Sequence, residues 1–228
     1  MADGESGMSD KGIPFSHSMV GALLAGRKTQ TRRLLADAPR GEWHCDKVGD
    51  KLMWVAPAGS PKLPCIRPYA VGDRLYVREA YYQFGHWEPV EGASTKGGRQ
   101  KWAFVADRPD IVFEAPGEHR LGRHHKDSAT PAWHKRLGRF MPRAASRLWL
   151  AVIDVRVQRL QECSEADASA EGLAAGDDVD GMDPRGWYRD LWDSLHTAEG
   201  TTWDANPWVV AVTFEVHRGN IDVEVQGA

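Results

Sequence analysis

The run GALLAGRKTQTRRLL, Gly21 to Leu35, places Lys28, Thr29 and Thr31 within four positions, two residues after Gly26. A lysine amine held away from water loses affinity for its proton, and the neutral amine can take one from a hydroxyl or a water. Thr29 and Thr31 are the hydroxyls at hand, so the run has the residue types for nucleophilic or general-base chemistry. A plainer use exists for the same lysine: a cation after a helix C-terminus balances the helix dipole and its free carbonyls. On strand alternation Thr29, Thr31 and Arg33 share one face and Gln30 and Arg32 the other, while Lys28, in the turn, is free to reach either.

Other familiar constellations are missing. There is no G-x-x-x-x-G-K-[ST] loop, no G-x-G-x-x-G after a strand, no H-E-x-x-H and no G-x-S-x-G, which removes the main support for nucleotide-hydrolase and serine-hydrolase chemistry. Cys45, Cys65 and Cys163 are odd in number and lack C-x-x-C spacing. A disulfide framework and a zinc site are therefore disfavoured, no metal or cofactor is expected, and a reducing cytoplasm is the expected compartment.

The elements that must position Lys28 can be read from local signals. Ser16 is the N-cap of a short helix, Met19, Val20, Leu23 and Leu24 are its apolar stripe, and Gly26 is its terminating glycine. KTQTRRLL follows as a strand, and KLMWV is a strand in the otherwise irregular stretch 36–70. VGDRLYVREAYYQF predicts a turn at Gly72 and Asp73, then one long strand with Leu75, Val77, Ala80 and Tyr82 inward and a bulge where the phase slips. Residues 84–146 hold one clear strand, KWAFVA, among glycine, proline and charge, and read as an insertion. SRLWLAVIDVRVQRL is a strand buried on both faces for part of its length. SEADASAEGL is a helix opened by Ser164 with Asp167 and stopped by Gly172. Asp183 and Pro184 open another, with Trp187, Tyr188, Leu191, Trp192 and Leu195 as its buried stripe. PWVVAVTFEV is the last strand. With no βαβ alternation, the expected class is α+β, a small, mostly antiparallel barrel decorated by helices. The expected organisation is a flexible tail over 1–12, a single domain over 13–216 with its insertion at about 84–146, and a second tail over 217–228.

The bulk composition of the 228 residues, 42% hydrophobic and 27% charged, is that of a soluble globular protein. Its 10 Trp are read as core and pocket walls. No apolar run approaches the ~18 residues of a membrane span, so a membrane is excluded as a partner. A net charge of -3 argues against indiscriminate duplex binding. The average hides a division: Glu118 to Arg147 has eight Lys or Arg against two acids, and Gln161 to Asp204 has twelve acids against two Arg. One face can then attract a phosphate-bearing ligand, unless both runs are solvated loops. Arg139, Arg143 and Arg147 are candidates for holding a ribose phosphate or an RNA backbone, and Trp203 or Trp208 for stacking on a base. His119, His124, His125 and His134 lack regular ligand spacing and read as loop histidines.

LLAGRKTQTRR, VGDRLYVRE, LWLAVIDVRVQRLQECSEADASAEGL and LWDSLHTAEGTTWDANPWVVAVTFEV together resemble the ASCH domain, a relative of the PUA fold built on a small β-barrel. The likeness is nearest to the larger ASCH-like proteins of bacteriophages and prophages. The likeness extends from Ile13 to Val216, and the four quoted segments make up about a third of the chain. Small bacterial members remove the acyl group from N4-acetylcytidine with a Lys and a Thr from the run after the helix and a Glu from the later helix. The resemblance places these on Lys28, Thr31 and Glu171, with the family's following Arg on Arg33. It implies an amidohydrolase acting on a modified cytidine nucleoside or nucleotide. Thr31 is then either the nucleophile, with Lys28 as base, or a hydrogen-bonding partner of the carbonyl while Lys28 and Glu171 activate a water. RNA binding, modified-base reading and RNA cleavage in the same cleft are the alternatives.

Overall fold

The structure is a computed structural model, and it describes residues 10–35, 38–39, 41, 43–48, 51–56, 63–65, 68–123, 126–174 and 183–223. In chain order the elements are β1 (Asp10–Pro14), α1 (His17–Leu24), β2 (Gln30–Leu34), β3 (His44–Val48), β4 (Lys51–Val55), β5 (Leu63–Pro64), β6 (Arg74–Arg78), β7 (Tyr81–Ser94), β8 (Gln100–Val112), β9 (Ala132–Arg136), β10 (Leu148–Arg159), α2 (Glu165–Ala170), α3 (Pro184–Leu195) and β11 (Trp208–Arg218). The fold is mixed, mostly strand with few helices. Its strands form sheets in the orders β1-β6-β10-β11-β2, β3-β4-β5 and β8-β7-β9. None of the three closes into a barrel. Among the described residues no helix is long and apolar enough to cross a membrane.

The chain divides into two compact units, the first built mainly on Ser18–Leu75 and Leu148–Arg218 and the second mainly on Tyr76–Arg147. In the first, β11 lies between β10 and the edge strand β2, antiparallel to both, with Val212 opposite Thr31 and Val155. Val209, Val210, Ala211 and Val212 are all 0% exposed, as expected of a run of small apolar residues covered on both faces. Helices α2 and α3 pack over it through Leu160, Cys163, Ala168, Tyr188, Trp192, Trp203 and Val209. The local signals explain the helix boundaries. Ser164 accepts from Asp167 N–H while Asp167 answers the Ser164 N–H, and Asp183 accepts from Gly186 N–H with Pro184 behind it.

The second unit corrects the picture of a largely irregular insertion. Residues 84–146 contribute to a three-stranded antiparallel sheet, in which β7 pairs with both β8 and β9. The long strand expected after Gly72 is two strands in different sheets, β6 and β7, divided at Glu79 and Ala80. Alternation continues to Glu79, not Ala80, because the Arg147 guanidinium donates to both Glu79 carboxylate oxygens at 2.8 and 2.9 Å and so allows a carboxylate to be buried there.

Smaller corrections concern the ends and the histidines. Residues 10–12 belong to β1, and Ile221, expected in a frayed tail, is 0% exposed. Leu195 closes the stripe of α3 but is 54% exposed. His134 is no loop residue: it lies buried in β9 and accepts from the Trp87 indole. His124 and His125 lie outside the described residues.

Candidate functional site

The site begins with the way α1 ends. Gly26 adopts φ 71°, a left-handed conformation that costs glycine little. Its N–H donates to Leu23 O at 3.0 Å and the Arg27 N–H to Ala22 O at 3.0 Å, the pair of bonds of a Schellman cap. The Lys28 N–H donates to Ala22 O as well, at 3.2 Å, which leaves the helix carbonyls satisfied without the lysine side chain. Helix α2 ends by the same chemistry: Glu171 is its C-cap and Gly172 follows at φ 113°. The two helix ends meet in an isolated antiparallel bridge between Lys28 and Glu171, and the Thr29 N–H donates to Ala170 O at 3.0 Å. A Cβ on Gly172 would stand 3.0 Å from Ala22 Cβ and 3.3 Å from Lys28 Cβ. Conformation and close approach both require glycine there.

From this junction the side chains form a buried ionic network. Lys28 Nζ donates to Glu171 Oε2 at 2.6 Å and to the Glu171 carbonyl at 2.9 Å. Arg32 donates to the other carboxylate oxygen, Oε1, at 3.0 Å, and its second terminal nitrogen lies 3.3 Å from Asp167 Oδ2. Arg156 holds Asp167 Oδ1 at 2.8 Å, with the half-exposed Asp154 on its solvent side. Lys28 is 0% exposed, Arg32 2% and Glu171 4%. The Tyr188 hydroxyl is a further hydrogen-bonding neighbour of Glu171, and Arg32 lies 5.6 Å over the Tyr188 ring.

The network sets its protonation states. Burial lowers the Lys28 amine below the ordinary lysine value, Glu171 opposes this, and Arg33 and Arg32 add to it. The cations Lys28, Arg32 and Arg156 face the carboxylates Glu171, Asp167 and Asp154, so the lowering comes from burial and not from an excess of positive charge. Burial works to raise Asp167, but the bonds from Arg156 and the Ser164 N–H and the charge of Arg32 outweigh it and hold the carboxyl at about 2. Burial pushes Tyr188 well above its usual value and the Cys163 thiol up to about 11, so neither ionises at neutral pH.

A cavity of about 380 Å³ opens beside this network. Ser18, Met19, Arg27, Glu171, Trp187 and Leu191 are among its walls. Glu171 is thus the member of the pair that reaches the cavity, and Lys28 sits behind it. Arg27 is fixed by donating to Gly172 O at 2.8 Å. Among the described residues no group of three or more His, Cys, Asp or Glu is placed to hold a metal ion. No protein-family model, curated protein or solved structure matches the chain.

The other expected site residues fall in different places. Thr31 is 1% exposed in β2, opposite Val212, and its hydroxyl accepts from Arg33 at 2.7 Å. It is adjacent to Arg32 on a strand, so it faces away from Glu171. Lys28 and Glu171 are brought together, Arg32 is the third member bonded to them, and the Thr31 hydroxyl is bonded to Arg33. Trp208 lies at the other end of β2, roughly 20 Å from Lys28 by strand rise. It packs edge-on against Trp54 at 4.9 Å, lies under the Arg159 guanidinium at 4.5 Å and lines a separate cavity of about 690 Å³. Arg143 and Arg147 belong to the second unit, where Asp222 and Glu79 respectively neutralise them.

The sequence reading missed Arg32, Arg27 and the cavity roles of Met19 and Trp187. Alternation did separate Arg32 from Thr31, but only the turn at Gly26 decides that Lys28 joins the Arg32 face. Met19 and Trp187 were assigned to apolar stripes, and both are only partly buried.

Proposed function

We propose that this chain is an ASCH-type protein, related to the PUA-like barrels, that hydrolyses N4-acylated cytosine nucleosides or nucleotides in the cytoplasm without a metal or cofactor. The observation that carries this reading is the fully buried amine of Lys28 held 2.6 Å from the carboxylate of Glu171 beside a cavity with an indole in its wall. Trp187 offers the cavity an aromatic surface suited to a pyrimidine, and Arg27 a cation.

Of the two routes open to the Lys, Thr and Glu set, the geometry favours activation of water. Glu171 takes a proton from a water in the cavity and passes it to neutral Lys28. The resulting hydroxide attacks the acyl carbon, whose carbonyl electrons move to oxygen. When they return, the bond to N4 breaks as the proton held on Lys28 is delivered through Glu171 to the leaving nitrogen. The products are the free carboxylic acid and the unmodified cytosine. Arg32 contributes by fixing Glu171 from its other oxygen and by disfavouring a proton on Lys28 in the resting state.

The test is incubation with N4-acetylcytidine, following cytidine by chromatography, beside Glu171→Gln and Lys28→Met. Turnover in the wild type and its loss in both variants is expected. A modified-base reader using the same cavity gives the opposite pattern, binding without product, and wild type that binds but does not turn over removes the hydrolase reading.

A further inference from the structure

One face of the β8-β7-β9 sheet carries a set of arginines laid on aromatic rings. Trp87 stands opposite Phe104, and Pro89 opposite Trp102, so Trp102 and Phe104, two apart on β8, share the face of Trp87. Arg123 lies 4.3 Å over the Trp102 ring. Arg136 lies 4.1 Å over Phe104, 5.0 Å over Trp87 and 5.2 Å over Phe140, and Arg139 lies 4.9 Å over Phe140. Phe140 is 52% exposed, and Trp87, Trp102 and Phe104 are only partly covered. A stacked guanidinium keeps its edge for hydrogen bonding and presents its second face to another planar group.

Two of the four acids of these strands, Glu88 and Asp107, lie on the opposite face. The two ring nitrogens of His86 lie 3.0 Å from the Glu88 carboxylate and 2.8 Å from that of Asp107. His86 neighbours Trp87 in β7, so its side chain projects from the opposite face. The aromatic face therefore carries the cations and rings, while His86 and its two carboxylates stand behind it. The basic excess between Glu118 and Arg147, eight Lys or Arg against two acids, supplies Arg123, Arg136 and Arg139.

We infer that this face binds a single-stranded polynucleotide, with phosphates on the guanidinium edges and unstacked bases layered on the arginine-covered rings. A duplex hides its base faces and cannot use the rings, whereas an acidic peptide lacks flat groups to stack. Recognition uses phosphate and base but no sugar hydroxyl, so RNA and DNA strands are expected to bind within a few-fold of each other. The inference is independent of the proposed hydrolase site.

The experiment is fluorescence anisotropy of labelled mixed-sequence single-stranded RNA and DNA, with the matching duplex, titrated with the full chain at several salt concentrations. Saturable binding of both single strands, at least tenfold tighter than the duplex, is expected, with indole quenching. Three phosphate contacts give a slope of log K against log salt of about -2. The double variant R123E/R139E, at two exposed positions, should weaken binding at least tenfold and flatten that slope. Phe140→Ala should weaken it several-fold and leave the slope in place. Near-ultraviolet circular dichroism identifies variants that keep the fold, and Glu171→Gln should bind like wild type. Equal affinity for the duplex, insensitivity to both surface variants, or loss of binding in Glu171→Gln would each overturn the inference.

Discussion

The amine of Lys28 and the carboxylate of Glu171, 143 positions apart in the chain, are 2.6 Å apart in the fold, and the backbones that carry them are joined by a single β-bridge. Each residue follows the last turn of a helix, and each helix is ended by a glycine at positive φ. The pairing is thus set by two helix stops.

Arg32 is expected to control the proton on Lys28. Replacing it with Met removes a cation from the Glu171 carboxylate, so the Lys28 amine gains affinity for its proton and the alkaline-going limb of the activity profile moves to higher pH. Titration of the side-chain 15N signal of Lys28 by NMR reads the same shift without any substrate. Arg32→Lys should restore most of it, and an unmoved Lys28 titration in Arg32→Met would reject this role.

Thr31→Val separates the two catalytic routes. The Thr31 hydroxyl is taken up by Arg33 on the face away from Glu171, so the variant is expected to keep kcat within a few-fold of wild type. A loss of 10³ or more, the scale of a missing nucleophile, measured on a variant with an unchanged melting curve, would restore Thr31 as the attacking group.

Asp167 should make stability depend on acid. Its folded value of about 2 lies below the 3.8 of an ordinary aspartate, so its contribution is fully present above the unfolded value and is lost as pH falls through the folded one. The difference corresponds to about 2 kcal/mol at neutral pH. Urea unfolding of Asp167→Asn should show a deficit of that order at pH 7 that shrinks as pH falls and vanishes below about pH 2. A deficit independent of pH would mean that the amide disturbs packing and not charge.

Gly172→Ala should damage stability and chemistry together. The methyl group meets Ala22 Cβ at 3.0 Å in a backbone conformation that L-residues rarely adopt, a strain of about 1–3 kcal/mol. Relief requires the end of α2 to move away from α1, which separates Glu171 from Lys28. The expected readout is a lower melting temperature and a fall in kcat exceeding that of Gly21→Ala, whose added methyl group meets nothing.

The helices, strands β2, β4, β6, β10 and β11 and the Lys28 and Glu171 pair were legible because each is marked by local chemistry, a cap, an alternation or a glycine stop, whereas β1, β3 and β5 are too short or too polar to carry such a mark. Three further features were not legible. Arg32 sits in a basic run of the kind that usually faces water, and only carboxylates from α2 and its C-cap, distant in sequence, make its burial possible. Met19 and Trp187 belong to apolar stripes, and a stripe does not distinguish a wall that faces core from one that faces a cavity. Strand β9 and the part of β7 beyond Phe84 carry little apolar alternation, because rings there are covered in part by guanidinium groups and not by other hydrophobic residues.

The bond from the Thr29 amide to Ala170 O, made where the two helix ends meet, turns one proton into a reporter. Its hydrogen-exchange rate measures how often the α1 and α2 stops part company, separately from unfolding of the β10-β11-β2 sheet. Protection of that amide close to the value of Phe214, whose N–H is bonded to Thr29 O, describes a site that is assembled for as long as the sheet exists. Faster exchange at Thr29 alone describes one that opens by itself, exposing the Lys28 amine to solvent while the sheet stays intact.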